Sequence, residues 1–434
     1  MSREMKNSGV PWIGDIPNYW SAVRIKDLAD NSKNDSFTDG DWIESQYITD
    51  NGIRYYTSGN VGDGAFKPQG NGYISEETFA ALKCKYAYPG DLVIARLNAP
   101  FGRSCILPSE SDKYVLAVDI AILRTAYCKE YLNYAMQCQR YHHAVEEQAS
   151  GTAMQRISRS NLGKIKLPIP PMAEQKSIVH YLDSHCSTID SAISKHHQII
   201  EKLEEYRKAV ITQAVTKGLN QNVEMKYSCI PWVTSIPEKW SEQPLKLLFS
   251  NRKNKNTDCA ETNLLSLSYG RIIRKDINSN EGLLPENFSG YNIIEPNDIV
   301  LRLTDLQNDH RSLRTGLVTE HGIITSAYVT LCPKANINSE YYHYLLHAYD
   351  VQKVFYTLGE GIRQSLKYED LGKVLVPVPP RVEQDEIVHY LNAMSKMVDD
   401  VIDKHNQLIS KLQEYKQSLI YNAVTGKIDC TAEA

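Results

Sequence analysis

The sequence predicts an α+β protein built twice, with two compact mixed heads, each followed by a long helix, and the two helices paired antiparallel as a coiled-coil rod. Three observations carry this. The segment Pro11-Trp12-Ile13-Gly14-Asp15-Ile16-Pro17-Asn18-Tyr19-Trp20-Ser21 recurs as Pro231-Trp232-Val233-Thr234-Ser235-Ile236-Pro237-Glu238-Lys239-Trp240-Ser241. From Pro168 to Thr216, 24 of 49 positions are identical to Pro377–Thr425, which is a tandem repeat rather than shared composition. The stretch after each Pro-Pro pair keeps apolar residues at heptad spacing, whereas the regions between the repeated ends mix turn clusters with short β-like runs. The expected parts are a first head over 1–171, a helix over 172–218, a second head over 219–380, a helix over 381–427 and a tail over 428–434.

In each head, strands follow turn signals. Leu92-Val93-Ile94-Ala95 comes after Pro89-Gly90-Asp91, and Ile299-Val300-Leu301 after Pro296-Asn297-Asp298. Val115 to Leu123, Leu264 to Leu267 and Ile323 to Leu331 read as strands by their β-branched content. Glu130 to Gln148 and Glu340 to Leu358 read as helices covering the sheets.

Each long helix starts at its Pro-Pro pair, has Glu174 or Glu383 in its positive first turn, and stops at Gly218 or Gly426. Each is then roughly 65 Å long at ~1.5 Å per residue. Heptad position a holds Leu182, Ile189, His196, Leu203 and Val210, and d holds Ile178, His185, Ala192, Ile199 and Tyr206. The second copy has Leu391, Val398, His405, Leu412 and Leu419 at a, and Ile387, Met394, Val401, Leu408 and Tyr415 at d. Five such heptads predict a paired seam. His196 and His405 invite a metal or pH role, but a seam residue fixing register is the plainer reading. Tyr206 and Tyr415 read as packing. Connectivity then expects a dumbbell of two heads on a two-helix rod, with the chain close to circular.

Composition narrows the function. With 434 residues, 42% hydrophobic and 23% charged, the chain is globular and long enough for two or three domains. No run of 18 apolar residues occurs, so no membrane span is expected, and the first ten residues lack a signal-peptide core. Nine scattered cysteines without Cys-x-x-Cys spacing read as reduced thiols of a cytoplasmic protein, with no structural metal. A net charge of −4 counts against a nucleic-acid binder working alone. No Walker loop, Gly-rich cofactor loop, Asx-Pro-Pro-aromatic motif or deaminase-type His-x-Glu with paired cysteines is present. The chain is expected to be non-catalytic and to bind no cofactor.

Candidate DNA-reading residues lie in the heads' loops. In the first head they are Lys67, beside the turn-rich stretch from Gly59 to Gly64, and Arg96, Asn98, Arg103 and Ser104 after a strand. Arginine suits guanine edges and asparagine adenine edges. In the second head they are Arg271, Arg302, Asn308, Arg311 and Arg314, with Arg252 to Lys255, Arg274 and Lys275 as weaker phosphate contacts. Gly151 to Gln155 and Glu360 to Gln364 could face DNA or simply be packing turns that set the helix angle. The bland reading of all these tracts is hairpin turns and solvated charge.

The organisation resembles the specificity subunits of type I restriction-modification enzymes. The resemblance rests on Pro-Trp-x3-Ile-Pro-x2-Trp, present twice, and on Pro-x-Pro-Pro-x2-Glu-Gln-x2-Ile-Val-x-Tyr-Leu at Pro168–Leu182 and Pro377–Leu391. It rests also on the helix ends at Ala214-Val215-Thr216 and Ala423-Val424-Thr425-Gly426-Lys427. It implies two target recognition domains, each reading half of a split double-stranded DNA site. It implies helices that space the heads and dock two methyltransferase subunits, with restriction subunits joining. S-adenosylmethionine, ATP and Mg would belong to those partners. The alternative is a coiled-coil adaptor whose heads bind proteins and not DNA.

Overall fold

The computed structural model describes residues 3–32, 35–70, 72–149, 155–220, 222–277, 285, 287–306, 313–334, 336–358 and 365–431. They group into two compact units, Met1–His196 with Asn406–Ala434, and His197–His405. Each long helix, Met172–Lys217 and Arg381–Val424, contributes one half to each unit.

The first unit closes its head by pairing the strand after the Pro-Trp segment, Ser21–Arg24, with the strand before the long helix, Lys166–Ile169. The repeated sequence ends are therefore neighbours in space. Between them lies an antiparallel sheet in the order Phe37–Asp39, Ile120–Leu123, Leu92–Ala95, Ser104–Ile106. A second sheet holds Tyr73–Ile74, Ile53–Tyr56 and Tyr114–Leu116, the last two parallel. The core joins Trp20, Leu92, Ile94, Tyr131 and Leu132 of the head to Ile178, Leu182, Leu419, Ile420 and Val424 of the two helices. At about 25 cal/mol per Å2 of apolar surface, burial of this kind is the main source of the unit's stability.

The second unit repeats this. Ser241–Pro244 pairs with Leu375–Val378. Its four-stranded sheet has the order Phe249–Asn251, Val329–Pro333, Ile299–Leu301, Thr315–Leu317. The hairpin Leu265–Ser268/Arg271–Arg274 and the pair Asn292–Ile294/Gly322–Ile324 complete the head.

The repeated motifs are the joints between head and helix. In the first unit the Trp20 indole N–H donates to Glu174 Oε2 at 3.0 Å, and in the second Trp240 donates to Glu383 at 2.9 Å. The next residue, Gln175 or Gln384, donates to the carbonyl of Pro170 or Pro379 and accepts the backbone N–H of Cys128 or Asn338. Glu-Gln after Pro-Pro is thus a bolt that fixes the helix start. Gly218 and Gly426 end the helices at φ 74° and 73°. A Cβ on Gly426 would lie 2.5 Å from Pro17, so glycine is needed there for space as well. Arg3 adds ion pairs to Glu174 and Asp429, each at 2.5 Å.

Within the first unit the helices run antiparallel, with Lys416 against Asp190 at 2.7 Å. Within the second, Arg207 meets Asp399 at 2.5 Å. The expected a positions stay buried or half-buried along both helices, whereas the d positions do so only in the first three heptads. Ile178, Leu182, Ile387 and Met394 are buried, but Ile199, Tyr206, Leu408 and Tyr415 are exposed by 40–55%. The cause is geometric. From Leu182 onward the buried or half-buried face steps through 182, 186, 189, 193, 196, 200, 203, 207 and 210, which are heptad positions a and e, so the seam keeps its seven-residue repeat but lies on a and e rather than a and d. Later d positions lie outside it, so the packing assigned to Tyr206 and Tyr415 is corrected. The expected strand Val115–Leu123 is two strands, Tyr114–Leu116 and Ile120–Leu123. The expected covering helices each break in two, the second where Lys353 turns left-handed at φ 63°.

Candidate nucleic-acid interface

In each head a loop leaves the third strand of the four-stranded sheet and returns as the fourth. In the first head it runs from Arg96 to Arg103, between Leu92–Ala95 and Ser104–Ile106. In the second its described ends are Arg302–Leu306 and Leu313–Arg314, between Ile299–Leu301 and Thr315–Leu317. The turns before these third strands are also alike. Gly90 and Asn297 are left-handed at φ 80° and 73°, and the following aspartates, Asp91 and Asp298, bind Arg124 and Arg252.

A second segment packs onto each loop. In the first head the stretch Ser58–Gly70 lies against it: Gly64 N donates to Ser104 O, and Arg103 reaches the carbonyls of Val61 and Ser58. Asn60 holds that stretch in shape by donating to the carbonyls of Lys67 and Gln69. In the second head the hairpin tip Tyr269-Gly270 takes this place, with Gly270 packed on Leu313. A third strip comes from the segment just before the head's last helix. Ile157 N donates to Arg96 O, and Leu366 N to Leu303 O.

The structure therefore gathers the first head's candidates at one edge, but in different roles. Lys67 and Asn98 are exposed. The Lys67 ammonium has no partner among the described residues, and Asn98 sits left-handed at φ 63°, a conformation asparagine tolerates. Arg96 is buried, with its donors on Ile157 O at 3.0 Å, Val118 O at 2.5 Å and Asp39 at 3.2 Å. Ser104 is buried and donates to Asn133 Oδ1 at 2.8 Å. Arg103 is half-buried, and burial lowers its pKa, partly offset by Asp63.

In the second head Arg271 is exposed beside Tyr269, which is 83% exposed. Arg302 is half-buried. Arg314 is fully buried and donates to the carbonyls of Arg302 and Thr304 at 3.0 Å. Asn308 and Arg311 lie outside the described residues, as do Gly151 to Met154 and Glu360 to Gln364. Two weaker candidates are engaged elsewhere: Arg252 pairs with Asp298, and Arg274 with Glu320. The orientation expected of Arg96, Ser104 and Arg314, toward a ligand, is thus corrected in this structure. Carbonyls left unpaired by sharp turns attract the guanidinium donors inward, and Asn133 attracts the Ser104 hydroxyl.

Comparison with known proteins follows from this geometry. Residues 17–205 match the family described as the type I restriction modification DNA specificity domain. The putative type I restriction enzyme MjaX specificity subunit of Methanocaldococcus jannaschii is 22% identical over 435 residues, covering 96% of this chain and 95% of that one. The EcoBI specificity subunit of Escherichia coli is 23% identical over 79% of this chain and 74% of its own. Over nearly its whole length the chain is similar to specificity subunits of type I restriction enzymes. Both relatives are named as specificity subunits, a non-catalytic role within a restriction-modification complex. Two solved structures share the fold of this chain. One, from a study of complex assembly and conformational transition of the type I system, superposes with TM-score 0.69 at 14% identity, over 95% of this chain and 99% of that one. The other, the HsdS subunit from Thermoanaerobacter tengcongensis, gives 0.51 at 14% over 95% and 98%.

Sequence reasoning missed two residues of this edge. Arg156 is exposed and bridges by backbone to Leu97, which sets it beside Asn98. Its only signal was its position after the glycine-bearing stretch at 151. Tyr269 was legible as an aromatic in a Tyr-Gly turn between two β-like runs. No described helix is long and apolar enough to cross a membrane.

Proposed function

We propose that this specificity subunit reads a split DNA site, one half with each head, through the loop edge just described. The recognition domains are the heads over 1–171 and 219–380. The observation that carries the reading is the recurrence of one edge on the same sheet in both units, with different exposed residues on each copy. Lys67, Asn98 and Arg156 stand on the first, and Tyr269 and Arg271 on the second. A shared frame with different tips suits a reader of two unlike half-sites. Bidentate base contacts would supply about 1–3 kcal/mol of discrimination each. Asn308 and Arg311 remain candidates on the second head.

The long helices dock two methyltransferase subunits, and restriction subunits join that complex. The exposed Ile199 and Tyr206 of the second unit, and Leu408 and Tyr415 of the first, supply apolar surface for this contact. S-adenosylmethionine, ATP and Mg act in those partners, and the complex works in the cytoplasm, where the DNA is. The test is to replace Ser21 to Lys166 with the same region of a relative and read the methylated motif in cells. One half-site should change and the other persist. Simultaneous change of both halves would overturn the two-reader arrangement.

A further inference from the structure

The loop edge contains an arginine in the same place in both heads, immediately before the fourth strand. Arg103 directs its guanidinium at four backbone carbonyls. Nε donates to Val61 O at 3.1 Å, Nη1 to Asn98 O at 2.7 Å and Pro100 O at 3.2 Å, and Nη2 to Ser58 O at 3.4 Å. These acceptors come from two loops, Ser58–Val61 and Asn98–Pro100, so one side chain laces them together. Arg314 does likewise, donating to Arg302 O, Thr304 O and Asp305 O, with Nε on the Tyr356 hydroxyl at 3.1 Å. In both heads one acceptor is the carbonyl of a left-handed Asx residue, Asn98 at φ 63° or Asp305 at φ 56°. Asparagine and aspartate tolerate this conformation, and in each head the guanidinium bonds the carbonyl that such a turn presents.

We propose that Arg103 is a positioning residue for half-site recognition: it fixes the Asn98 turn against the Ser58–Val61 loop and so sets the register in which Asn98 and Lys67 are presented to DNA. Arg314 has the same task for the turn at Asp305. The proposal rests on the reading that this edge meets DNA. It differs from that reading in giving arginine, the usual reader of guanine, an inward role. Four of the five N–H donors of Arg103 are spent on carbonyls, and a bidentate base contact needs two.

The test uses the complex assembled with its methyltransferase subunits. The variants are Arg103→Lys, Arg103→Met, Asn98→Ala, Lys67→Ala and the double variant Asn98→Ala/Arg103→Met. Dissociation constants are measured on the cognate site and on sites scrambled in one half or the other. Thermal melting is followed in parallel. Arg103→Met should lower discrimination at the first head's half-site by roughly tenfold to a hundredfold, the worth of one lost base reading. Discrimination at the other half-site should be unchanged, and Arg103→Lys should fall between. Adding Asn98→Ala to Arg103→Met should cost nothing further, because the arginine acts through that turn. Additive losses in the double variant would make Arg103 a direct reader and overturn the proposal. Equal loss at both half-sites with a lowered melting temperature would reduce it to a general stabiliser and also overturn it. Wild-type discrimination in both Asn98→Ala and Lys67→Ala would remove this edge from the DNA, and the clamp's role would fall with it.

Discussion

Acid should loosen the second unit through one histidine. His343 lies in the helix Ser339–Val351, and its Nε2 is enclosed without a hydrogen-bond partner among the described residues. Burial, with the neighbouring His347 ring 6.5 Å away, pushes its pKa down to about 4 from 6.5. The folded unit therefore declines a proton that the unfolded chain accepts below pH 6.5. Stability is full above that value and falls as the pH drops toward 4. Each pH unit between the two values is worth about 1.4 kcal/mol. Going from pH 7.5 to pH 5 should cost the folded unit about 2 kcal/mol, and going to pH 4 about 3 kcal/mol. His347, lowered by burial and by Lys208, acts in the same direction. The assay is urea unfolding at pH 7.5 and pH 5, followed by circular dichroism, for the wild type and His343→Gln. Glutamine stays polar but does not titrate, so the acid-induced loss should shrink by about 2 kcal/mol. An identical loss in the variant would refute the reasoning.

Further outcomes follow from the joints and the helices. Trp240→Phe strands the Glu383 carboxylate and should cost about 1.5–3 kcal/mol in denaturant melts, with Glu383 otherwise in place. Leu182→Ala opens a cavity in the first unit's core and should cost about 2–5 kcal/mol by the same measurement. Arg96→Met should destabilise the first unit by about 3 kcal/mol, because Asp39 and two carbonyls lose their partner. Tyr206→Ala and Tyr415→Ala should each shift stability by less than about 0.5 kcal/mol. Both should still weaken co-purification with the methyltransferase subunits, and retained co-purification would remove this surface from the docking face.

The frame was far more legible than the site, for physical reasons. Pro-Trp, Pro-Pro-x2-Glu-Gln and the terminal glycines act on residues near in sequence or repeated in pattern, so reading them twice revealed the joint. The strand pair Ser21–Arg24 with Lys166–Ile169 follows once the repeated ends are known to meet. The heptads were right at their a positions but misled at the later d positions, because the buried face lies on a and e, which leaves Tyr206 and Tyr415 outward. The arginines were found but not their direction. Arg96 is satisfied by Val118 and Ile157, and Arg103 in part by Ser58 and Val61, segments far from them along the chain. No local pattern distinguishes such an arginine from one that reaches a base. Tyr269 and Arg156 were passed over because a short turn and a loop end carry little periodic signal.

The division of the chain has a consequence for biosynthesis. The second unit is contiguous, His197–His405, and can close as soon as that stretch leaves the ribosome. The first unit cannot. Its core needs Leu419, Ile420, Ala423 and Val424 against Trp20, Tyr131 and Leu182, although those residues were made hundreds of positions earlier. The head synthesised first must therefore finish folding last, keeping an apolar face open while the second takes shape. Such a face is a natural target for chaperones and proteases. A message broken before Leu419 would yield a nascent product with one finished half and one that never seals. That would mark such truncated products for clearance before they are used.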